Sequence, residues 1–283
     1  MSELDLANAP ADVRPLPPAR PPFSLSKLWR NTGVRRLVIL AALAAIWQGA
    51  ALWQDNPLLF PTFTDTVSAF VEATRSEGML WSALASLTVL LKGYAIAVAL
   101  ALVLVSGAVA IPVLRDVLQT LTAMFNPLPA IALLPLAMMW LGLGESALLL
   151  VLVHAVLWPF ALAALSGFDQ VPETQRLVGR NYGLRGPAYV AQILLPAALP
   201  SILSGLKIGW AFAWRTLIAA ELVFGVSSSQ GGLGWFIYRN RNELLTDRVF
   251  AGLATVILIG LVVEMVLFRV IERRTVVRWG LQR

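Results

Sequence analysis

The sequence contains no cysteine and a single histidine, His154, in 283 residues. The first absence excludes disulfides, thiolate metal sites, cysteine nucleophiles and lipid attachment through sulfur. The second excludes a histidine-cluster metal site and disfavours a Ser-His hydrolase. Charge is scarce too: 13% of residues are charged, against roughly 25% in a soluble domain. With 58% hydrophobic residues and a mean hydropathy of +0.74, this is the composition of a membrane protein. No G-x-x-x-x-G-K-[ST] phosphate loop is present; the lysines are Lys27, Lys92 and Lys207, none in that context. The chain is therefore not expected to hydrolyse ATP. Within the apolar stretches the clear carboxylates are Glu221 and Glu264, little material for the proton relay of a secondary carrier. Uphill movement of a solute would draw its energy from a partner.

What the sequence does have is apolar runs long enough to cross roughly 30 Å of hydrocarbon, about 20 residues each. The first 35 residues do not qualify. Pro10, Pro15, Pro17, Pro18, Pro21 and Pro22 alternate with Arg14 and Arg20, a mixture that neither builds a helix nor buries a core. No apolar segment with a small-residue cleavage site follows closely, so the stretch reads as a disordered cytoplasmic tail, not a secretory signal. The first span is expected over Leu37–Trp53. Val67, Phe70, Val71 and Thr74 then recur at helical spacing, predicting an amphipathic surface helix over Thr64–Ser76 with Thr64 as its N-cap. Further spans are expected after Trp81, between Asp116 and Glu145, between Glu145 and Asp169, from about Ala191 towards Glu221, and between Arg248 and Arg269.

Splitting the stretch from Gly186 to Val226 around Lys207 would give seven spans instead of six. The placement of basic residues decides. Six spans put Arg14, Arg20, Lys27, Arg30, Arg35 and Arg36 of the tail on the cytoplasmic side. Arg115, Arg176, Arg180 and Arg185 of the loops join them, as do Arg269, Arg273, Arg274, Arg278 and Arg283. Arg75, Arg239, Arg241 and Arg248 remain outside. That is a strong positive-inside bias, whereas seven spans would export one of the Arg-rich termini. The expected fold is all-α and polytopic, with a membrane domain over 36–274, both termini cytoplasmic, and a short tail over 275–283.

The inside loop from Asp169 to Val190 is the most informative segment. Pro172 can open a helix and Gly183 can close it in a left-handed conformation. Between them lies a helix of about three turns that carries apolar Leu177 and Val178 beside basic Arg176 and Arg180. It reads either as a docking knob for another protein or as a solvated connector.

Gly183, followed after nine residues by Ile193-Leu194-Leu195-Pro196, resembles the E-A-A-x3-G-x9-I-x-L-P signature of importer-type ABC permeases. Phe60-Pro61, Asn126-Pro127-Leu128-Pro129-Ala130, Trp140-Leu141-Gly142-Leu143-Gly144-Glu145, Gly205-Leu206-Lys207-Ile208-Gly209 and Ala219-Ala220-Glu221-Leu222 resemble the nitrate/sulfonate/taurine-type subfamily. The likeness covers roughly Pro57 to Arg274. It implies a permease of about six spans that works as a homodimer and performs no covalent chemistry. Two ATP-binding subunits would hold ATP and Mg, and a periplasmic binding protein would deliver solute at the bacterial inner membrane. No cofactor, metal or nucleic acid is expected on this chain. The 169–190 loop would be the coupling helix, with Arg176, Leu177, Val178, Gly179, Arg180, Asn181 and Gly183 facing the ATPase. The signature's E-A-A falls on Leu177, Val178 and Gly179, so its glutamate is missing; Arg180 or Asn181 would have to supply its contribution.

Arg215 lies deep in the fifth span, where a charge costs at least about 2.5–3.5 kcal/mol and needs a cavity or a partner. It reads as an anion contact on the translocation pathway or as an inter-helix clamp. Trp214 flanks it, and His154, Met139 and Glu221 are the other pathway candidates. His154 could instead bond a helix carbonyl, Met138 to Trp140 could be core or gate, and Glu221 could serve the outer gate, binding-protein docking or a helix-end salt bridge. Lys207 is expected to snorkel and Lys92 to be structural. Gly205 and Gly209 permit close helix approach, within or between subunits. The Ser227–Gly232 turn reads as an outer loop or short re-entrant element. The expected cargo is a small anion such as a sulfonate, taurine or nitrate. The alternatives are another small organic solute (a vitamin precursor or carboxylate), a secondary carrier, or, least favoured, a membrane-embedded enzyme.

Overall fold

The computed structural model describes residues 32–224 and 231–277, and among them every regular element is helical. The Pro-rich stretch, most of the Ser227–Gly232 turn and the end of the C-terminal tail lie outside the described residues. The chain divides into two compact units, residues 1–50 and 51–283. The first carries most of α1 (Thr32–Gln54), which takes in Arg35 and Arg36 and so begins five residues before the expected span. Its 23 residues rise about 35 Å, enough to cross hydrocarbon.

The second unit opens with α2 (Phe63–Arg75) and the long α3 (Met79–Ala110). The third span is not one helix. α4 (Pro112–Phe125) stops at Asn126, and the chain re-enters helix through a tight turn at Ala130–Leu133 and α5 (Leu134–Leu141), bent by 88°. The cause is Pro127 and Pro129, which lack the amide protons that would continue the α4 ladder. Then come α6 (Glu145–Asp169) and the short α7 (Glu173–Asn181). α8 (Leu195–Phe224) is entered through a helical turn at Gly186–Tyr189 and a π-helical turn at Val190–Leu194. Pro196 and Pro200 deprive the carbonyls of Gln192 and Pro196 of their usual partners. The winding before them loosens, so that the Leu195 amide reaches back to the Val190 carbonyl. α9 (Leu233–Asn242) and α10 (Thr246–Val262), the latter continued in helical winding to Val277, complete the described chain. Among the described residues five helices are long and apolar enough to span, and the bent pair makes a sixth. The region around Lys207 is unbroken helix, as the six-span reading requires.

α6 is central and α10 peripheral: 56% of the spanning window of the first is buried, against 17% of the second. Glycine makes the central contacts close. A Cβ on Gly205 would come within 2.7 Å of the Ala163 side chain, and one on Gly209 within 3.0 Å of Val156. The G-x-x-x-G pair therefore seats α8 on α6 within one chain.

Polar contacts assign the connections to two ends. At one end Arg115 pairs with Asp169, and Arg176 bonds the carbonyls closing α6. At the other, Arg248 pairs with Glu77 at 2.6 Å and Thr246 donates to the Leu58 carbonyl at 2.7 Å. α2 differs from expectation in its cap and its face. Thr62, not Thr64, caps it, accepting the Asp65 amide at 3.1 Å. It buries Thr66, Ala69 and Ala73 and leaves Val67 and Val71 outward, because small side chains let it lie close against α10.

Candidate functional site

At the break in the third span lies a cavity of about 430 Å³. The corner Phe125–Ile131 forms one side, α6 contributes His154, Ala155, Trp158 and Pro159, and α8 contributes Phe212, Arg215, Thr216 and Ala219. The corner halves Pro112–Leu141 and His154–Pro159 straddles the middle of α6, while Phe212–Ala219 lies in the second half of α8. Proline builds the wall twice: it breaks the third span, and Pro159 leaves the Ala155 carbonyl without its i+4 amide. Broken helices around a central hollow are the membrane setting in which irregular backbone is tolerated.

Arg215 is exposed at this cavity. Its guanidinium sits 5.3 Å from the centre of the Phe212 ring, and its Nε donates to the Ala211 carbonyl at 3.0 Å. No carboxylate among the described residues pairs with it. The two lysines of the spanning helices behave otherwise. Lys92 pairs with Glu145 at 2.7 Å, and Lys207 pairs with Glu272 on the last helix. Lys207 thus bridges α8 to the last helix.

His154 stands edge-on to Phe125 and Trp158 at 6.2 and 6.3 Å, and those two rings stack at 5.1 Å. Neither of its ring nitrogens has a hydrogen-bond partner among the described residues, so the expected bond to a helix carbonyl is not made. Trp214 points elsewhere. It is buried, and its Nε1 donates to the Val256 carbonyl at 3.3 Å, joining α8 to α10. Met139 and Trp140 lie exposed on α5 and do not line the cavity, so neither is core.

Glu221 is also absent from the cavity. It is fully buried one end-turn away and has no basic partner among the described residues. Ser86 Oγ donates to its carboxyl oxygens at 2.8 and 2.9 Å, and the Gly234 amide donates at 2.8 Å. The same Ser86 oxygen accepts the Leu233 amide at 2.8 Å. Two of the unpaired amides at the start of α9 are thereby satisfied by side chains of α3 and α8. Glycine is needed here: a Cβ on Gly234 would fall 2.6 Å from Glu221 Cβ and 2.8 Å from the Ile218 carbonyl. Glu221 is a clamp that holds the start of α9 against α3 and α8, through hydrogen bonds and not through the helix-end salt bridge that was one of its expected roles.

The residues of the 169–190 loop divide by role. Leu177, Val178, Arg180 and Asn181 are exposed on α7. Arg176 turns back, its guanidinium donating to the Phe168 carbonyl at 2.6 Å and its Nε to the Val171 carbonyl at 3.2 Å. It anchors α7 to the end of α6. Gly179 is buried against the start of the fifth span, where a Cβ would lie 2.8 Å from Ile193 and 2.9 Å from Tyr189. Gly183 takes φ +74° and closes the helix, with its amide on the Arg180 carbonyl at 2.9 Å.

Sequence reasoning missed Phe125, Trp158, Phe212, Thr216 and Ser86. For the first two a signal existed: paired prolines inside an uncharged run announce a broken span, and Pro159 lies one turn from His154. For Ser86, 135 residues from its partner, there was none.

A family model, the binding-protein-dependent transport system inner membrane component, matches residues 93–277. The taurine transport system permease protein TauC of Escherichia coli is 31% identical over 241 residues, covering 83% of this chain and 86% of its own. The nitrate import permease protein NrtB of Synechocystis is 28% identical over 268 residues, with 92% and 94% covered. The bicarbonate transport system permease protein CmpB of Synechococcus elongatus is 28% identical over 195 residues, with 66% of each chain covered. With five helices long and apolar enough to span, six if the bent pair is one, and with its match to that model, the chain belongs to the family of binding-protein-dependent transport system inner membrane components, the membrane-spanning permeases of ABC importers.

Proposed function

We propose that this chain is the permease subunit of an ATP-driven importer for a small anion of the sulfonate, taurine or nitrate kind, working as a homodimer. The observation that carries the reading is Arg215. Unlike Lys92 and Lys207, it lacks a carboxylate partner among the described residues, and it lines the cavity at the break in the third span. A guanidinium so placed matches a planar or tetrahedral oxyanion with two donors at once. The relatives' names, taurine, nitrate and bicarbonate, share that chemistry.

In this reading the end bearing Arg115, Arg176, Arg180 and the last residues of α10 is cytoplasmic, as the positive-inside rule requires. α7 projects Leu177, Val178, Arg180 and Asn181 towards an ATPase subunit that holds ATP and Mg. Closure of the ATPase pair moves α7, and Gly179 passes the movement to the fifth span, since no side chain separates the two. The exposed Met139–Trp140 surface faces the second copy. A binding protein meets the opposite end, near α2 and α9, at the outer face of an inner membrane. Glu221 and Trp214 hold the helices that frame the pathway.

The test is ATPase activity in lipid of this chain co-purified with its ATPase subunit. Binding protein loaded in turn with taurine, an alkanesulfonate, nitrate or a small carboxylate is added. Stimulation by a loaded anion, lost when Leu177–Asn181 is replaced by a Gly-Ser segment, is the expected result. A stable chain that engages no ATPase would overturn the reading.

A further inference from the structure

The cavity at Arg215 carries more than a charge. Its polar side chains are Arg215, Thr216, Asn126 and His154; the rest of the lining is proline, aromatic and aliphatic. Arg215 and Thr216 come from α8, whereas Phe125 and Trp158, from α4 and α6, present two rings stacked within 20° of parallel. A bare inorganic oxyanion is hydrated on every side, and stripping it against apolar walls leaves most of its acceptors unpaired. An organic anion needs donors at its head only and gains from burying its body, about 25 cal/mol per Å² of apolar surface. The volume of about 430 Å³ falls in the range of about 300–1,000 Å³ that suits organic ligands.

We propose that this cavity is a transit site for an amphipathic organic anion, with its oxyanion head on Arg215 and its aliphatic body against Phe125, Trp158 and Phe212. It favours such solutes over bare inorganic oxyanions. The inference rests on the importer reading for the passage of an anion, and it moves selectivity partly into the permease.

The test is calorimetric titration of the full chain in lipid nanodiscs, without binding protein, using sodium 1-pentanesulfonate, sodium nitrate and 1-pentanol. Pentanesulfonate is expected to bind about tenfold or more tightly than either other probe, a difference of at least about 1.4 kcal/mol. Arg215→Gln should weaken pentanesulfonate about tenfold and leave pentanol unchanged. Trp158→Leu should weaken pentanesulfonate and pentanol and leave nitrate as it was; Phe212→Leu serves the same purpose if Trp158→Leu does not fold. Nitrate binding as tightly as pentanesulfonate, no sulfonate binding by the native chain, or aromatic variants without effect would each overturn the proposal. The ATPase assay keeps the two readings apart. Stimulation without sulfonate binding removes the transit site alone, and binding without ATPase assembly removes the importer reading while the selectivity stands.

Discussion

Arg215 and Glu221 sit six residues apart on the same helix, yet the protein treats them in opposite ways. Glu221 is fully buried, and its carboxyl oxygens accept two donors, the Ser86 hydroxyl shared between them and the Gly234 amide. Arg215 is exposed at a hollow, with one backbone carbonyl and one aromatic face for company. Six residues turn a helix by about 240° and raise it about 9 Å, so the two groups face different neighbours and cannot satisfy each other. In a membrane a polar group persists only if something answers it. Glu221 is answered from within and builds structure; Arg215 has no carboxylate partner among the described residues, which is what supports the proposal that it meets a solute. Charge alone did not separate these roles. The inventory of partners did.

The comparison breaks most visibly at the clamp. Glu221→Ala should strand the Ser86 hydroxyl and the Gly234 amide in a buried site, at about 1–3 kcal/mol for each unsatisfied group. The expected outcome is the largest fall in thermal stability of any single substitution on α8, measured by unfolding of the detergent-purified chain. Gly234→Leu should match it, because the obstruction includes the Ile218 backbone, which cannot step aside. Ser86→Ala should cost less, since the Gly234 bond survives.

Arg215→Gln is expected to do the reverse. With no internal partner to abandon, the variant should unfold at the native temperature. Solute-stimulated ATPase activity and uptake should fall about tenfold or more, the worth of a charged bond to a ligand. A loss of stability equal to that of Glu221→Ala would show that Arg215 is also structural and would erase the distinction.

The two residues also mark what could be read without coordinates. Six spans, the loop helix and its Gly183 stop were legible, because hydrophobic length, charge asymmetry and left-handed glycine are local properties. The break at Pro127 and Pro129 was announced by the same kind of local signal but read as continuous, since span length alone does not reveal a bend of 88°. The roles of Glu221, Arg176 and Lys207 were not legible. Each depends on a partner brought up by folding: Ser86 from α3, the carbonyls ending α6, and Glu272 from the last helix. Arg215 was flagged by its depth, and what folding adds is that no such carboxylate partner reaches it among the described residues.

At the loop, the same division separates residues that hold α7 from residues that display it. Arg176→Ala frees the Phe168 and Val171 carbonyls, which can turn to water at this half-exposed site, so its cost should be about 1 kcal/mol. Gly179→Leu pushes Ile193 and Tyr189 apart and should uncouple ATPase stimulation from solute while leaving the spans folded. Val178→Asp should weaken assembly with the ATPase and leave stability untouched, because Val178 is half-exposed.

The smallest effect is expected where a charge is paired yet wet. Lys92 and Glu145 meet at 2.7 Å, but their side chains keep 52% and 36% exposure. Exposed pairs contribute about 0–1 kcal/mol, so Lys92→Met should shift the unfolding temperature barely, if at all. A double-mutant cycle with Glu145→Gln measures the coupling directly. A coupling above about 2 kcal/mol would mean that this pair lies in low-dielectric surroundings. It would then belong with Glu221 among the groups that hold the bundle, and Arg215, with no carboxylate partner among the described residues, would be set further apart.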